Sequence, residues 1–413
     1  MKKLTLFTLL FVTVFQVSFS QVEKDKAVFK EYEPGFYQEV IQKDIQRVRE
    51  KMEEEPSRRQ FLMDQSNLDI PNQLRGYQRE WANPVISQGA AGTCWSYSTI
   101  SFIESEINRM HGKKVKLSEP FIVYWEYVEK ARRFIRERGD SRFTQGSEAN
   151  AVTRMMKKYG IVPRSQYDGL LHGRKYPNHS GMYQEMNDYL QSVEENNAWN
   201  EQKVLSTIKS IMNHHIGEPP SSFSFKGTQY TPKSYLRSLN IDPDNFVEIL
   251  SYKQKPYWQK VEYEVPDNWW NSKQYINVPL DVFMEIIQEG IRKGYTMSIG
   301  GDVSESGFLR STQTAMVPSW DIPSEYINEN ARQFRFSNNS TTDDHGMHLV
   351  GYHTQNGDDW YLIKDSSSGS RNNDPNAPEF GYYFFHEDYV KLKMMNFTIH
   401  KEAVQDIMRR VGR

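Results

Sequence analysis

The chain contains a single cysteine, Cys94, in the run Gln88-Gly89-Ala90-Ala91-Gly92-Thr93-Cys94-Trp95-Ser96. One thiol cannot close a disulfide within its own chain, so Cys94 is either an inert small hydrophobe of the core or a reactive group. Its surroundings favour reactivity. A polar, glycine-bearing loop precedes it, and Ile100, Ile103 and Ile107 follow at the spacing of one helical face. Cys94 therefore opens a helix, where unpaired N–H groups and the positive end of the helix dipole favour an anion and raise the thiolate fraction.

A nucleophilic thiolate needs a histidine to take and return its proton, and a third group to orient that histidine. Of ten histidines, two stand in Asp343-Asp344-His345-Gly346-Met347-His348-Leu349-Val350-Gly351-Tyr352-His353, a strand-like run. His345 and His348 are three positions apart and are expected on opposite strand faces, so only one of them can serve. Gln355 to Asp359 reads as a turn, and Trp360 to Lys364 as a second strand ending at Asp365. His353, His386 and His400 have no partner in the sequence and read as ordinary residues. His214-His215 lack an acidic or cysteine partner at ligand spacing, so neither a metal nor a cofactor is expected.

The Cys94 segment resembles the active-site segment of papain-like cysteine peptidases, in which a glutamine precedes the nucleophile by six positions and Gly-x-Cys-Trp opens a central helix. The resemblance implies catalytic roles for Cys94 and for His345, which stands five residues before Val350-Gly351-Tyr352, and makes His348 a packed or surface residue. It gives Gln88 and the Cys94 N–H the oxyanion, and Gly146, in Gln145-Gly146-Ser147-Glu148, a backbone contact to substrate. It assigns the orienting role to Asp365, in Lys364-Asp365-Ser366-Ser367-Ser368-Gly369, where the family carries an asparagine followed by a shielding tryptophan. An aspartate can still accept the imidazole N–H, but without the tryptophan an inactive, peptide-binding relative is an alternative. The disulfide cysteine that the family carries three positions before the nucleophile is Ala91 here.

Cys94 and His345 lie 251 positions apart, whereas simple papain-like chains need about 130 to 150, so roughly a hundred residues are inserted. The excess falls at about 171 to 275 and reads as helices around Met182 to Val193 and Gln202 to Ile216. Gly227 to Ser234, Glu264 to Trp269, Tyr275 to Leu280 and Gly301 to Ser304 resemble, in order, segments of the bleomycin hydrolase and aminopeptidase C branch. The implied fold is α+β: a papain-like pair of subdomains, one helical and one an antiparallel barrel-like sheet, with a mainly helical insertion. The implied function is that of a cysteine aminopeptidase acting on peptides, with an endopeptidase as the alternative. The resemblance also implies a hexameric homo-oligomer and a C-terminal arm, residues 400 to 413, that places the Arg413 carboxylate in the cleft to meet a substrate amine. Three arginines, Arg409, Arg410 and Arg413, oppose that arrangement, and a surface helix is the alternative.

At 413 residues there is ample material for a core. Lys2-Lys3, the apolar run Leu4 to Val17 and Ser18-Phe19-Ser20 read as a signal peptide, which implies a periplasmic or secreted bacterial protein. Its removal takes the net charge from −2 to −4, which gives no basis for nucleic-acid binding. No segment approaches the length of a membrane span. Residues 21 to 80 are charged and read as a helical extension, with a solvated helix from Gln42 to Glu55. The peptidase domain is expected over residues 81 to 413.

Overall fold

The computed structural model describes residues 26–31, 33, 35–37, 41, 59–367 and 376–411. The expected signal peptide, the Gln42 to Glu55 helix and Arg413 lie outside them.

The helical half is built on Cys94–His111, an 18-residue helix that ends where Gly112 takes a left-handed conformation and returns its N–H to Asn108 O. Ile100, Ile103 and Ile107, the face read from the sequence, are fully buried. Glu119–Arg136 packs beside it and starts on Ser118, whose hydroxyl accepts the Phe121 N–H. That cap is the kind of contact worth about 1 kcal/mol to a helix. The inserted segment supplies helices Ser180–Glu195 and Glu201–Ile216, as expected. Met182, Met186, Leu190, Val204, Ile208 and Met212 carry their apolar stripes into the same core as Ile103 and Phe121. The insertion therefore thickens the helical half and shares its core.

The other half is a mainly antiparallel sheet, eleven-stranded among the described residues. His345–Gln355 runs through it between Met297–Gly301 and Asp358–Lys364, and Tyr382–His386 and Met394–His400 flank those. The hairpin from His345–Gln355 to Asp358–Lys364 turns on Asn356 and Gly357, both at positive φ, a geometry that Asn-Gly adopts at little cost. Met347 and Leu349 point into a second core with Ile299, Ile363, Tyr383 and Phe397.

The two halves meet where the first turn of the Cys94 helix lies against the start of the His345 strand. Gly346 permits this: a Cβ there would stand 3.1 Å from Ser98 Oγ and 3.5 Å from Trp95 Cα. The absence of a side chain at that one position lets the strand close on the helix.

The N-terminal extension departs from its helical reading. Lys26–Glu31 and Arg59–Asp64 pair as antiparallel strands, with Phe29 opposite Phe61. Both runs carry bulky apolar residues among charged ones, and the cross-strand aromatic pair outweighs a helical preference that charge alone suggested. Among the described residues no helix is long and apolar enough to cross a membrane.

Candidate active site

Cys94 is the first residue of its helix and is partly exposed. The preceding Thr93 makes no side-chain cap, and the first turn holds no acidic residue. The positive end of the helix is thereby left to the thiol instead of being neutralised by a carboxylate. The loop before it is fixed from two sides: Gly92 N–H donates to Gln145 Oε1 at 2.9 Å, and Trp95 Nε1 donates to the Gln145 carbonyl at 3.1 Å.

His345 opens its strand and is buried, with Nε2 at 2.7 Å from Asp365 Oδ1. That bond leaves Nδ1 as the ring nitrogen for the thiol. Burial pulls the imidazole toward its neutral form, but the Asp365 and Cys94 charges and hydrogen bonds to both prevail, so its pKa stands well above the ordinary histidine value. Burial would raise the Asp365 pKa, yet His345 and the Ser367 hydroxyl and N–H hold it down at about 2. Charge separation is thus the resting preference of this pair.

The shielding tryptophan proves dispensable for enclosure. Asp365 is 1% exposed. Pro84, Val85, Ile86 and Tyr97 stand around it, and Ser367 caps its carboxylate through its N–H at 2.9 Å and its hydroxyl. Water therefore does not screen its charge from His345.

Gln88 ties the two loops together. Its Nε2 donates to Ala91 O at 2.8 Å, its Oε1 accepts the Ser366 hydroxyl at 2.7 Å, and its backbone N–H donates to Ser366 O. One of the two amide N–H groups is committed, which leaves the other for an oxyanion.

His348 belongs to a different environment. It is fully buried, its Nδ1 is 2.9 Å from Ser101 Oγ, and burial together with nearby Lys364 pushes its pKa well below the usual value. It is a neutral packed residue. Met347 enters the sheet-side core while His348 turns to Ser101 of the Cys94 helix, as alternation requires, and His345, the strand's first residue, lies with Cys94 at one cavity. His386 and His400 accept backbone N–H groups at the starts of short helical turns, and His353 bonds Gly76 O.

Gly146 is held within the protein by its carbonyl. Its carbonyl accepts a hydrogen bond from buried Lys130, and a Cβ there would fall 2.0 Å from Asp267 Oδ2. A glycine is needed for the approach of Asp267, and the carbonyl is already engaged by the protein. The neighbours Ser147 and Glu148 line the cavity at Cys94 instead. Around that cavity stand also Asp267, Asp343 and Asp344, three carboxylates that motif spacing did not single out.

The C-terminal segment forms a short helix, Gln405–Arg410. Ile407, Met408 and Val411 pack on the sheet-side core and the Arg410 guanidinium lies over the Trp258 ring, 3.3 Å from its centroid. None of the described residues after His400 lines the Cys94 cavity.

Comparison with known proteins agrees with this architecture. Over 263 residues the chain is 24% identical to aminopeptidase C of Listeria monocytogenes, which covers 54% of this chain and 59% of that protein. The chain thus spans less than two thirds of that relative. Aminopeptidase C of Streptococcus thermophilus is 23% identical over 321 residues, 65% of this chain and 70% of the relative. The solved structure of PepW from Lactobacillus rhamnosis shares the fold, with a TM-score of 0.66 at 18% identity over 82% of this chain and 85% of that one. The model of the Peptidase C1-like family matches residues 26–411, and with this extent of match the chain belongs to that family.

Proposed function

We propose that the chain is a cysteine peptidase that hydrolyses peptide bonds through Cys94, His345 and Asp365 and trims residues from amino termini. The observation that carries this reading is the buried 2.7 Å bond from His345 to Asp365, in one cleft with a cysteine at a helix start. Cys94 thiolate attacks the scissile carbonyl, and the remaining Gln88 N–H and the Cys94 N–H stabilise the oxyanion. His345, held as imidazolium by Asp365, gives its proton to the leaving amine, and the acyl group stays on sulfur as a thioester. His345 then takes a proton from water, the hydroxide displaces the thiolate, and the carboxylic acid product leaves. The amino-terminal preference rests on the kinship with aminopeptidases C.

The test is labelling and turnover on one preparation. A thiol-directed epoxide should modify Cys94 rapidly at neutral pH, and peptides with a free amino terminus should be shortened from that end. Slow labelling with no turnover would make the chain a peptide-binding relative, and internal cleavage of blocked peptides would make it an endopeptidase.

A further inference from the structure

Four carboxyl groups, Glu148, Asp267, Asp343 and Asp344, converge on the cavity that Cys94 and His345 open into. They come from three separated segments, and two of them are provided for within the chain. Asp267 faces Lys130 and Arg142. Asp344 accepts the Val303 N–H at 3.0 Å and lies near His345. Asp343 accepts the Asn396 amide at 3.1 Å and lies against the Tyr263 hydroxyl, with no ion pair to it among the described residues.

Glu148 is the anomaly. It is 8% exposed, and it occupies the N-cap position of helix Ala149–Tyr159 without its side chain capping that helix. No ion pair or N–H donor reaches its carboxyl among the described residues, and the group within hydrogen-bonding reach of it is Asp343, another acid. Two buried carboxyls facing each other must share a proton or await a cation, because two bare charges at that distance repel strongly in a poorly solvated site. Glu148 is pushed well up by burial first and then by Asp343 and Asp267, while Asp343 is raised to about 7 by burial first, with Asp267 and Asp344 adding to it against the lowering by hydrogen-bonding contacts with Tyr263 and Glu148. The Tyr263 hydroxyl, fully enclosed, lies against the same pair without a hydrogen bond of ordinary geometry. The carboxylates are not disposed to hold a metal ion: no group of three or more metal-ligating side chains is found among the described residues.

The free space is about 30 Å³, room for one group of about the size of a water molecule. An ammonium head fits that volume and supplies the donors and the charge that Glu148 and Asp343 lack. We propose that Glu148 and Asp343 form a binding site for a substrate ammonium group beside Cys94, and that the chain selects peptides presenting either a free α-amine or a lysine side chain there. This rests on the peptidase reading and deepens it, because it places a site of amine recognition on the cleft wall.

The experiment uses three fluorogenic peptides of equal length: norleucine with a free amino terminus, Nα-acetylated lysine, and Nα-acetylated norleucine. The wild-type chain should favour at least one ammonium-bearing peptide over acetylated norleucine by about tenfold or more in kcat/KM, the equivalent of about 1.4 kcal/mol. Which arm wins identifies the source of the ammonium. Glu148→Gln and Asp343→Asn, each checked for native circular dichroism, should shrink that ratio to about threefold or less; should one misfold, the other carries the test. Equal kcat/KM on all three peptides, or a ratio that survives in the variants, overturns the proposal. If no peptide shows Cys94-dependent turnover, the peptidase reading itself fails. Calorimetric binding of the same peptides to Cys94→Ala then decides the ammonium site alone, and equal affinities for all three overturn it.

Discussion

The two walls that flank Cys94 differ in how completely the chain satisfies them. On the Gln88 and His345 side the polar groups are matched within the protein: imidazole to Asp365, Asp365 to Ser367, and Gln88 to Ala91 and Ser366. Elsewhere around the same cavity Glu148 and Asp343 face each other, and the Asn396 amide donates to Asp343 alone. The first arrangement is preorganised, so little reorganisation is needed when charge develops at sulfur and imidazole. The second is destabilising on its own and gains when something positive enters. On the proposed reading, the polar pairs closed within the chain serve the chemistry and the pair left open serves recognition.

The sharpest way to break the contrast is to remove a member of the closed wall. Cys94→Ala or His345→Ala should each lower kcat/KM by about a thousandfold or more, roughly 4 kcal/mol in barrier. The double variant should be little worse than either, since the two act as one unit. His348→Ala should leave most turnover in place and show its cost in thermal stability, because His348 bonds Ser101 in the core. Loss of turnover in His348→Ala with none in His345→Ala would reassign the base.

A smaller effect is expected one bond further out. Asp365→Ala removes a buried, charged hydrogen bond and should cost on the order of one to three kcal/mol in barrier, whereas Asp365→Asn keeps an acceptor and should retain more. The pH profile separates charge from geometry. Although burial lowers it, the His345 pKa is held well above its ordinary value by the Asp365 charge, and neutralising that charge lets it fall. The alkaline limb of kcat/KM, where the imidazolium is lost, should therefore move to lower pH in Asp365→Asn. An unmoved limb in an active variant would show that Asp365 acts through position alone.

How much of this was readable in the sequence follows the same division. Cys94, Gln88 and His345 sit in short continuous patterns, so helix start, strand start and spacing sufficed to single them out as candidates, and the structure brings them together. Asp365 was legible for the same reason, but its burial was not, because Pro84 to Ile86 reach it from a segment some 280 positions away. The inserted helices were legible from their apolar spacing. The hairpin of Lys26–Glu31 with Arg59–Asp64 was not, since its partner strands are separated by a charged stretch and neither alternates cleanly. The open wall escaped notice because Glu148, Asp267 and Asp343 meet only after both halves fold. Asp343 was in plain view, two residues before His345, and single acids in polar loops carry no signal of their own.

The least effect concerns stability, and it tests whether the open wall is a burden when empty. Asp343 has its pKa raised to about 7, mainly by burial and by Asp267 and Asp344, against about 3.9 in an unfolded chain. Between those values the folded chain holds a proton that the unfolded chain has released, so stability falls as pH climbs from about 4 to about 7 and stays lower above that. Asp343→Asn abolishes this titration while keeping an acceptor for Asn396. The variant should therefore gain on the wild type at pH 8, by roughly 1 kcal/mol or about 2 °C in Tm, and gain little at pH 4.5. Adding an ammonium-bearing peptide at pH 8 should raise the wild-type Tm and leave that of Asp343→Asn nearly unchanged, because binding to the folded state alone is what stabilises it. The same Tm difference at both pH values would mean that the substitution acts through packing, and the carboxyl pair would then carry no standing electrostatic cost.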